Sequence, residues 1–174
     1  SIKASLAVIV PAHSSPETLE WDADQSSIMG ARNYAYNMSR ILVGTTSWTE
    51  RTLVESGRFY PPDVHTAEER LRFYASRFPV VEVDSSYYGL PSSRNAGLWA
   101  ERTPDGFVFD VKAFRLLTQH QTPPDALPKD IREGLAPTTK KNLYYKDMPA
   151  EVLDELWARF RSALDPLRNA DKLG

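Results

Sequence analysis

The chain contains no cysteine. That absence removes disulfides, thiolate metal sites and cysteine nucleophiles, and it fits a reducing compartment. Long apolar runs are missing as well. The run Leu6 to Val10 near the start is too short to cross a bilayer and short for the apolar segment of a secretory signal. No dense run of lysine or arginine occurs and the net charge is only −2, so there is no extended nucleic-acid-binding signal. These absences predict a cytoplasmic protein without a membrane segment. What is present is an ordinary globular composition. The chain has 174 residues, 41% hydrophobic and 25% charged, which suffices for one domain with a real core and excludes wholesale disorder.

Residues 1–39 show no clear periodicity. Ser14-Ser15-Pro16 and Asp22 to Ser27 are loop-like, and the segment reads as a poorly ordered or irregular leader. The chain does not start with Met, as expected of a processed, cloned or partial product. From Arg40 the pattern sharpens. Ile41-Leu42-Val43 is a short buried strand running into the turn-prone Gly44-Thr45-Thr46-Ser47-Trp48. Thr66 and Glu69 form a capping box for a helix over 66–78. Pro91-Ser92-Ser93 opens a second helix, which Thr103-Pro104 stops. A long connection to about residue 147 is of the kind that tends to be functional, and it holds a short helix near 128–134. Pro149 opens an amphipathic helix with Val152, Leu153, Leu156, Phe160, Ala163 and Leu164 on one stripe.

The two remaining strands carry the chemistry. In Val80-Val81-Glu82-Val83-Asp84 the two-residue alternation puts Glu82 and Asp84 on one face. In Phe107-Val108-Phe109-Asp110-Val111-Lys112 it puts Asp110 and Lys112 on one face and the aromatic residues on the other. Packing the apolar faces on helices makes Glu82, Asp84, Asp110 and Lys112 converge. The resulting β-α-β-α-β-α order implies an α/β fold with a parallel sheet and crossover helices. A further strand should follow the third helix and none is legible, so an unpaired sheet edge along 107–112 or 41–43, and association of the isolated chain, are expected. The two architectures that fit are the first part of a β/α barrel and a small open parallel sheet.

Four segments resemble a known family. Gly44-Thr45-Thr46-Ser47-Trp48, then Phe59-Tyr60-Pro61-Pro62, then Glu82-Val83-Asp84-Ser85-Ser86-Tyr87-Tyr88, then Phe107 to Arg115 with Thr118 and His120, are similar in content and order to the YecE-like family. These are TIM-barrel domains of unknown function described as related to sugar isomerases. The family has Gly-Thr-Ser-Gly-Trp where this chain has Thr46 and Ser47, and Asn-Ser-Thr-Phe-Tyr where this chain has Asp84, Ser86 and Tyr87. The resemblance implies that residues 40–174 are the N-terminal part of a TIM barrel, comprising its first three βα units.

In such a barrel the site lies at the C-terminal ends of the strands. Glu82, Asp84 and His120 are then the candidate acid/base groups, against a structural ion pair for the carboxylates and a solvated surface position for the histidine. Trp48, Tyr87, Tyr88, Lys112 and Arg115 are the candidate ligand-binding residues. The aromatics would pack on a ring and the cations would hold an anionic group; the competing assignment for the aromatics is packing. A Schiff-base role for Lys112 is disfavoured because neighbouring carboxylates keep it protonated. Gly44 to Ser47 lacks the spacing and lysine of a phosphate loop. No motif specifies a cofactor, although paired carboxylates suit a divalent metal. The functions compatible with these features are an enzyme acting on a small polar, sugar-like or anionic molecule, a non-catalytic ligand- or partner-binding module, and an inactive fragment. The sequence leaves the oligomeric state open.

Overall fold

The computed structural model describes residues 6–10, 40–136 and 140–174. Strands β1 (Leu6–Val10), β2 (Arg40–Thr46), β3 (Val80–Val83) and β4 (Val108–Val111) form one sheet in that order. The helices are α1 (Arg51–Glu55), α2 (Ala67–Ala75), α3 (Ser93–Glu101), α4 (Lys129–Gly134), α5 (Ala150–Ala163) and α6 (Asp165–Asn169). Strands β2, β3 and β4 are mutually parallel and separated by helices, which is the α/β alternation expected.

The helix starts follow from local chemistry. Thr66 accepts from the Glu69 amide while the Glu69 carboxylate reaches back to the Thr66 N–H, which satisfies two orphan donors at once. Ser92 caps α3 by accepting from the Asn95 amide at 3.2 Å, and α5 begins directly after Pro149.

Strand alternation then sorts the two faces of the sheet. Val81, Val83, Phe107 and Phe109 join Leu71, Tyr74, Ala96, Leu156 and Phe160 in the core beneath the helices. Glu82 and Asp110 sit opposite each other in register and project from the other face. Strands β2 and β3 approach closely at Gly44, where a Cβ would lie 2.0 Å from the Val80 carbonyl oxygen.

Three features depart from the sequence expectations. The strand read as buried over Ile41-Leu42-Val43 buries only Leu42, and Ile41 and Val43 are exposed. Leu6–Val10, assigned to an irregular leader, is a strand that pairs antiparallel with β2, Leu6 opposite Gly44 and Val10 opposite Arg40. The rest of the leader lies outside the described residues. The third departure is at the far edge of the sheet, where Leu173 forms a parallel bridge with Phe109. The Phe109 N–H donates to the Lys172 carbonyl at 2.8 Å and the Gly174 N–H donates to the Phe109 carbonyl at 2.9 Å. The edges expected to be unpaired, at 41–43 and along 107–112, are thus occupied by β1 and by the segment after α6. The long connection after β4 is drawn together by an antiparallel bridge between Thr122 and Leu143, with α4 lying between the two. No helix among the described residues is long and apolar enough to cross a membrane.

Candidate functional site

The C-terminal ends of β3 and β4 are tied together by a hydroxyl. Ser86, in the 3-10 turn Asp84–Tyr87 that follows β3, is 1% exposed. Its Oγ lies 2.7 Å from the Val83 carbonyl and 2.6 Å from the Lys112 carbonyl, so one buried hydroxyl proton is shared between two strand ends. This clamp was not legible in the sequence, where Ser86 is one of several hydroxyl residues in a loop.

Above the clamp, Lys112 gathers the two carboxylates. Its Nζ donates to Asp84 Oδ1 at 2.8 Å and lies 3.4 Å from Glu82 Oε1. The Glu82 side chain is 13% exposed, against 36% for Asp84 and 45% for Lys112, so Glu82 forms the floor of the group and Lys112 its outer part. The hydrogen bond to Asp84, helped by the charges of Asp84 and Glu82, raises the Lys112 pKa above its ordinary value against a smaller opposing effect of burial. Both the ion-pair geometry and the direction of this shift favour the ammonium form of Lys112 over the free amine. Asp110 is in register with Glu82 but makes no ion pair with a described residue.

Tyr87 links this group to a second set of residues. Lys112 Nζ and Arg115 Cζ each lie 5.4 Å from its ring centroid, within cation–π range. The His120 ring meets it edge-on at 5.6 Å and the Tyr88 ring at 5.2 Å. The backbone fixes the arrangement. Arg115 N–H donates to the Tyr87 carbonyl at 3.0 Å, and His120 N–H donates to the Arg115 carbonyl at 2.9 Å. The turn between them places Gln119 at φ +66°, a left-handed residue closing a helical turn. Tyr88 is 59% exposed and lies at the outer margin.

Seven of the eight candidate residues thus come together: Glu82, Asp84, Tyr87, Tyr88, Lys112, Arg115 and His120. Trp48 does not join them. Its ring is 9% exposed and packs edge-on against Trp99 at 5.5 Å and Phe109 at 6.3 Å, within the core beneath the helices. The cause is Ser47, whose φ of +66° breaks the strand alternation and turns the next side chain to the helix side of the sheet. Tyr60, whose hydroxyl donates to the Trp48 carbonyl, holds the chain there.

Among the described residues, no group of three or more His, Asp or Glu side chains is arranged to hold a metal ion. Glu82 and Asp84 are both engaged by Lys112 instead. A cleft of about 540 Å³ lies at the other end of the strands, lined by Arg77, Phe78, Pro79, Asp105 and Phe107 among others, and is separate from this rim.

Known proteins resemble the chain along most of its length. UPF0759 protein YunF of Bacillus subtilis (strain 168) is 34% identical over 103 residues, which are 59% of this chain and 34% of that protein. The chain therefore spans about a third of the length of this curated relative. Two crystal structures of a DUF72 family protein from Enterococcus faecalis V583 are 21% identical, with TM-scores of 0.42 and 0.45. They cover 75% of this chain and 35% and 36% of the matched chains. The family described as "Protein of unknown function DUF72" matches residues 42–174, which take in every residue of the rim, and the chain belongs to that family.

Proposed function

We propose that the rim at the ends of β3 and β4 is the ligand site of an enzyme acting on a small polar, sugar-like molecule. The observation that carries this reading is the Glu82–Lys112–Asp84 group. Three charges are held at adjacent strand ends, on the face of the sheet turned away from the helices, with an aromatic ring alongside. Carboxylate oxygens accept from hydroxyl groups and can move protons. An aromatic ring beside them offers an apolar surface for the carbon skeleton of a sugar. The same reading takes residues 40–174 as the first βα units of a YecE-like, sugar-isomerase-related barrel. Support comes from three parallel strands following one another in chain order, each succeeded by helix, with Leu173 adding a parallel bridge beyond β4. A barrel of that kind gathers its chemistry at the strand ends.

The test is a ligand-observed NMR screen of aldoses, ketoses, polyols and their phosphates and acids. It is run with and without Mg²⁺ or Mn²⁺, and the same samples are followed for turnover. Binding that Glu82→Gln abolishes, with an unchanged melting profile, is the expected result. Hits whose affinity ignores substitutions at Glu82, Asp84 and Tyr87 would remove the rim as the site.

A further inference from the structure

The sequence offers Lys112 and Arg115 together as holders of an anionic group, yet the Lys112 ammonium is already shared by two carboxylates. Arg115 is differently placed. Among the described residues no carboxylate lies within ion-pair distance of it, and its Nε is buried without a hydrogen-bond partner. Its guanidinium lies over the Tyr87 ring, the ring that His120 also meets. A guanidinium of this kind, steadied on an aromatic face and lacking a carboxylate, suits a bidentate contact to an oxyanion.

His120 is oriented for the same task. Thr118 Oγ1 lies 3.2 Å from the Arg115 carbonyl oxygen and 3.0 Å from His120 Nδ1. Thr118 has one hydroxyl proton for these two contacts; given to the Arg115 carbonyl, which can only accept, it makes Nδ1 the donor in the contact with His120. In the neutral ring this leaves Nε2 as the bare nitrogen, and in the charged ring Nε2 is a second donor. Thr118 acts as a positioning residue, because its hydroxyl fixes the tautomer of His120 without itself facing a ligand.

We infer that the rim is divided, with Glu82, Asp84 and Lys112 taking hydroxyl groups and Arg115 with His120 taking an oxyanion, so that the ligand is a small polyhydroxylated molecule bearing one phosphate or carboxylate. This rests on the reading of the rim as the ligand site and assigns its anionic half to residues other than Lys112.

The test is a titration of the chain with inorganic phosphate, glucose 6-phosphate, gluconate and glucose, followed by ¹H–¹⁵N spectra of the backbone and of the His120 ring. The expected result has four parts. The free protein shows an Nδ1–H ring at His120, and Thr118→Val redistributes the tautomers. The phosphate or the acid shifts the Arg115 and His120 signals, and the stronger of the two identifies the anion. Arg115→Met weakens anion binding by about tenfold or more, the loss of one charge-assisted contact. Lys112→Met changes it by less than about threefold. Should Arg115→Met fail to fold, His120→Gln and Arg115→Lys take its place in the comparison. If glucose perturbs Glu82 and Tyr87 but no anion perturbs Arg115, or if Lys112→Met is the substitution that abolishes anion binding, this assignment is overturned and the rim reading stands. If neither glucose nor any anion perturbs a rim residue, both fall.

Discussion

From a position only 5% exposed, Lys172 donates to the carbonyl of Thr103 at 2.7 Å and to its hydroxyl at 3.3 Å. A third bond reaches the Ala100 carbonyl at 2.7 Å. The ammonium thereby closes the C-terminal end of α3, where carbonyls lack helical partners and the helix dipole favours a cation. The backbone of the same residue accepts from Phe109 at the sheet edge, so Lys172 joins helix and sheet. Lys172→Met keeps the apolar stem and removes the three ammonium hydrogen bonds. It should lower unfolding stability by about 2–3 kcal/mol in urea titrations and speed hydrogen exchange at Phe109. A loss below about 0.5 kcal/mol would mean that water replaces the ammonium.

Gly44 is the second position where one atom decides the packing. An added Cβ would meet the Val80 carbonyl oxygen at 2.0 Å. That neighbour is backbone and cannot rotate away. Gly44→Ala should therefore part β2 from β3 and cost about 3 kcal/mol or more, at the upper end for an added methyl group. Thermal melts of the two proteins, compared at equal concentration, measure this directly.

The parts of the fold that were legible are those written locally. The capping box at Thr66, the helix start at Pro91-Ser92-Ser93 and the alternation around Glu82 each rest on residues a few positions apart, and each is present. The convergence of Glu82 and Asp84 on Lys112 followed from alternation with the apolar strand faces packed on helices, even though Asp84 lies just past the strand, in the turn; Asp110, expected in the same group, forms no ion pair with a described residue. What was not legible depends on distant partners. Leu6–Val10 becomes a strand only because it finds β2, and Leu173 pairs through a single bridge that leaves no periodic trace. Helix α1 is capped by Glu50, which is outside the usual set of capping residues. Trp48 was misdirected for a readable reason. The glycine of the YecE-like pattern that this segment resembles falls at residue 47, where this chain holds a serine in the left-handed region, and a strand that turns there no longer alternates.

Alkaline stability should be governed by two buried phenols. The Tyr74 hydroxyl accepts from the Thr45 N–H at 2.7 Å and donates to the Val80 carbonyl at 3.1 Å, bridging β2 and β3 from beneath. Burial raises the pKa of Tyr74, and it raises that of Tyr60 further. In both, the folded state holds the proton more tightly than the unfolded chain. Their contribution is therefore complete below about pH 10, the unfolded phenol value, and is lost as pH rises through the higher folded values. Stability should be level to about pH 9 and fall beyond 10. Tyr74→Phe should flatten part of that fall while costing about 1–3 kcal/mol at neutral pH, because the Thr45 amide loses its acceptor. Urea midpoints of both proteins from pH 7 to 11 provide the comparison.

The Lys112 group should matter less to stability than to binding. Its side chain is 45% exposed and that of Asp84 is 36% exposed, so solvent screens most of their attraction and the pair should be worth no more than about 1 kcal/mol. Glu82 is the less exposed partner at 13%, but it stands farther from the ammonium, at 3.4 Å. A double-mutant cycle of Lys112→Met with Asp84→Asn should give a coupling of about 0.2–1 kcal/mol. The raised Lys112 pKa sets the pH window. Going up from neutral pH, the coupling should hold to about pH 10, where the unfolded lysine titrates, and should fade as pH climbs through the folded value. The same high-pH fade appears in the Tyr74 experiment, but Lys112→Met leaves the phenol bonds intact, so the two contributions separate by mutant. A coupling of about 3 kcal/mol or more would mark the group as a structural ion pair that the fold cannot do without. The small value expected here instead leaves Lys112→Met a folded protein in which the ligand experiments can be run.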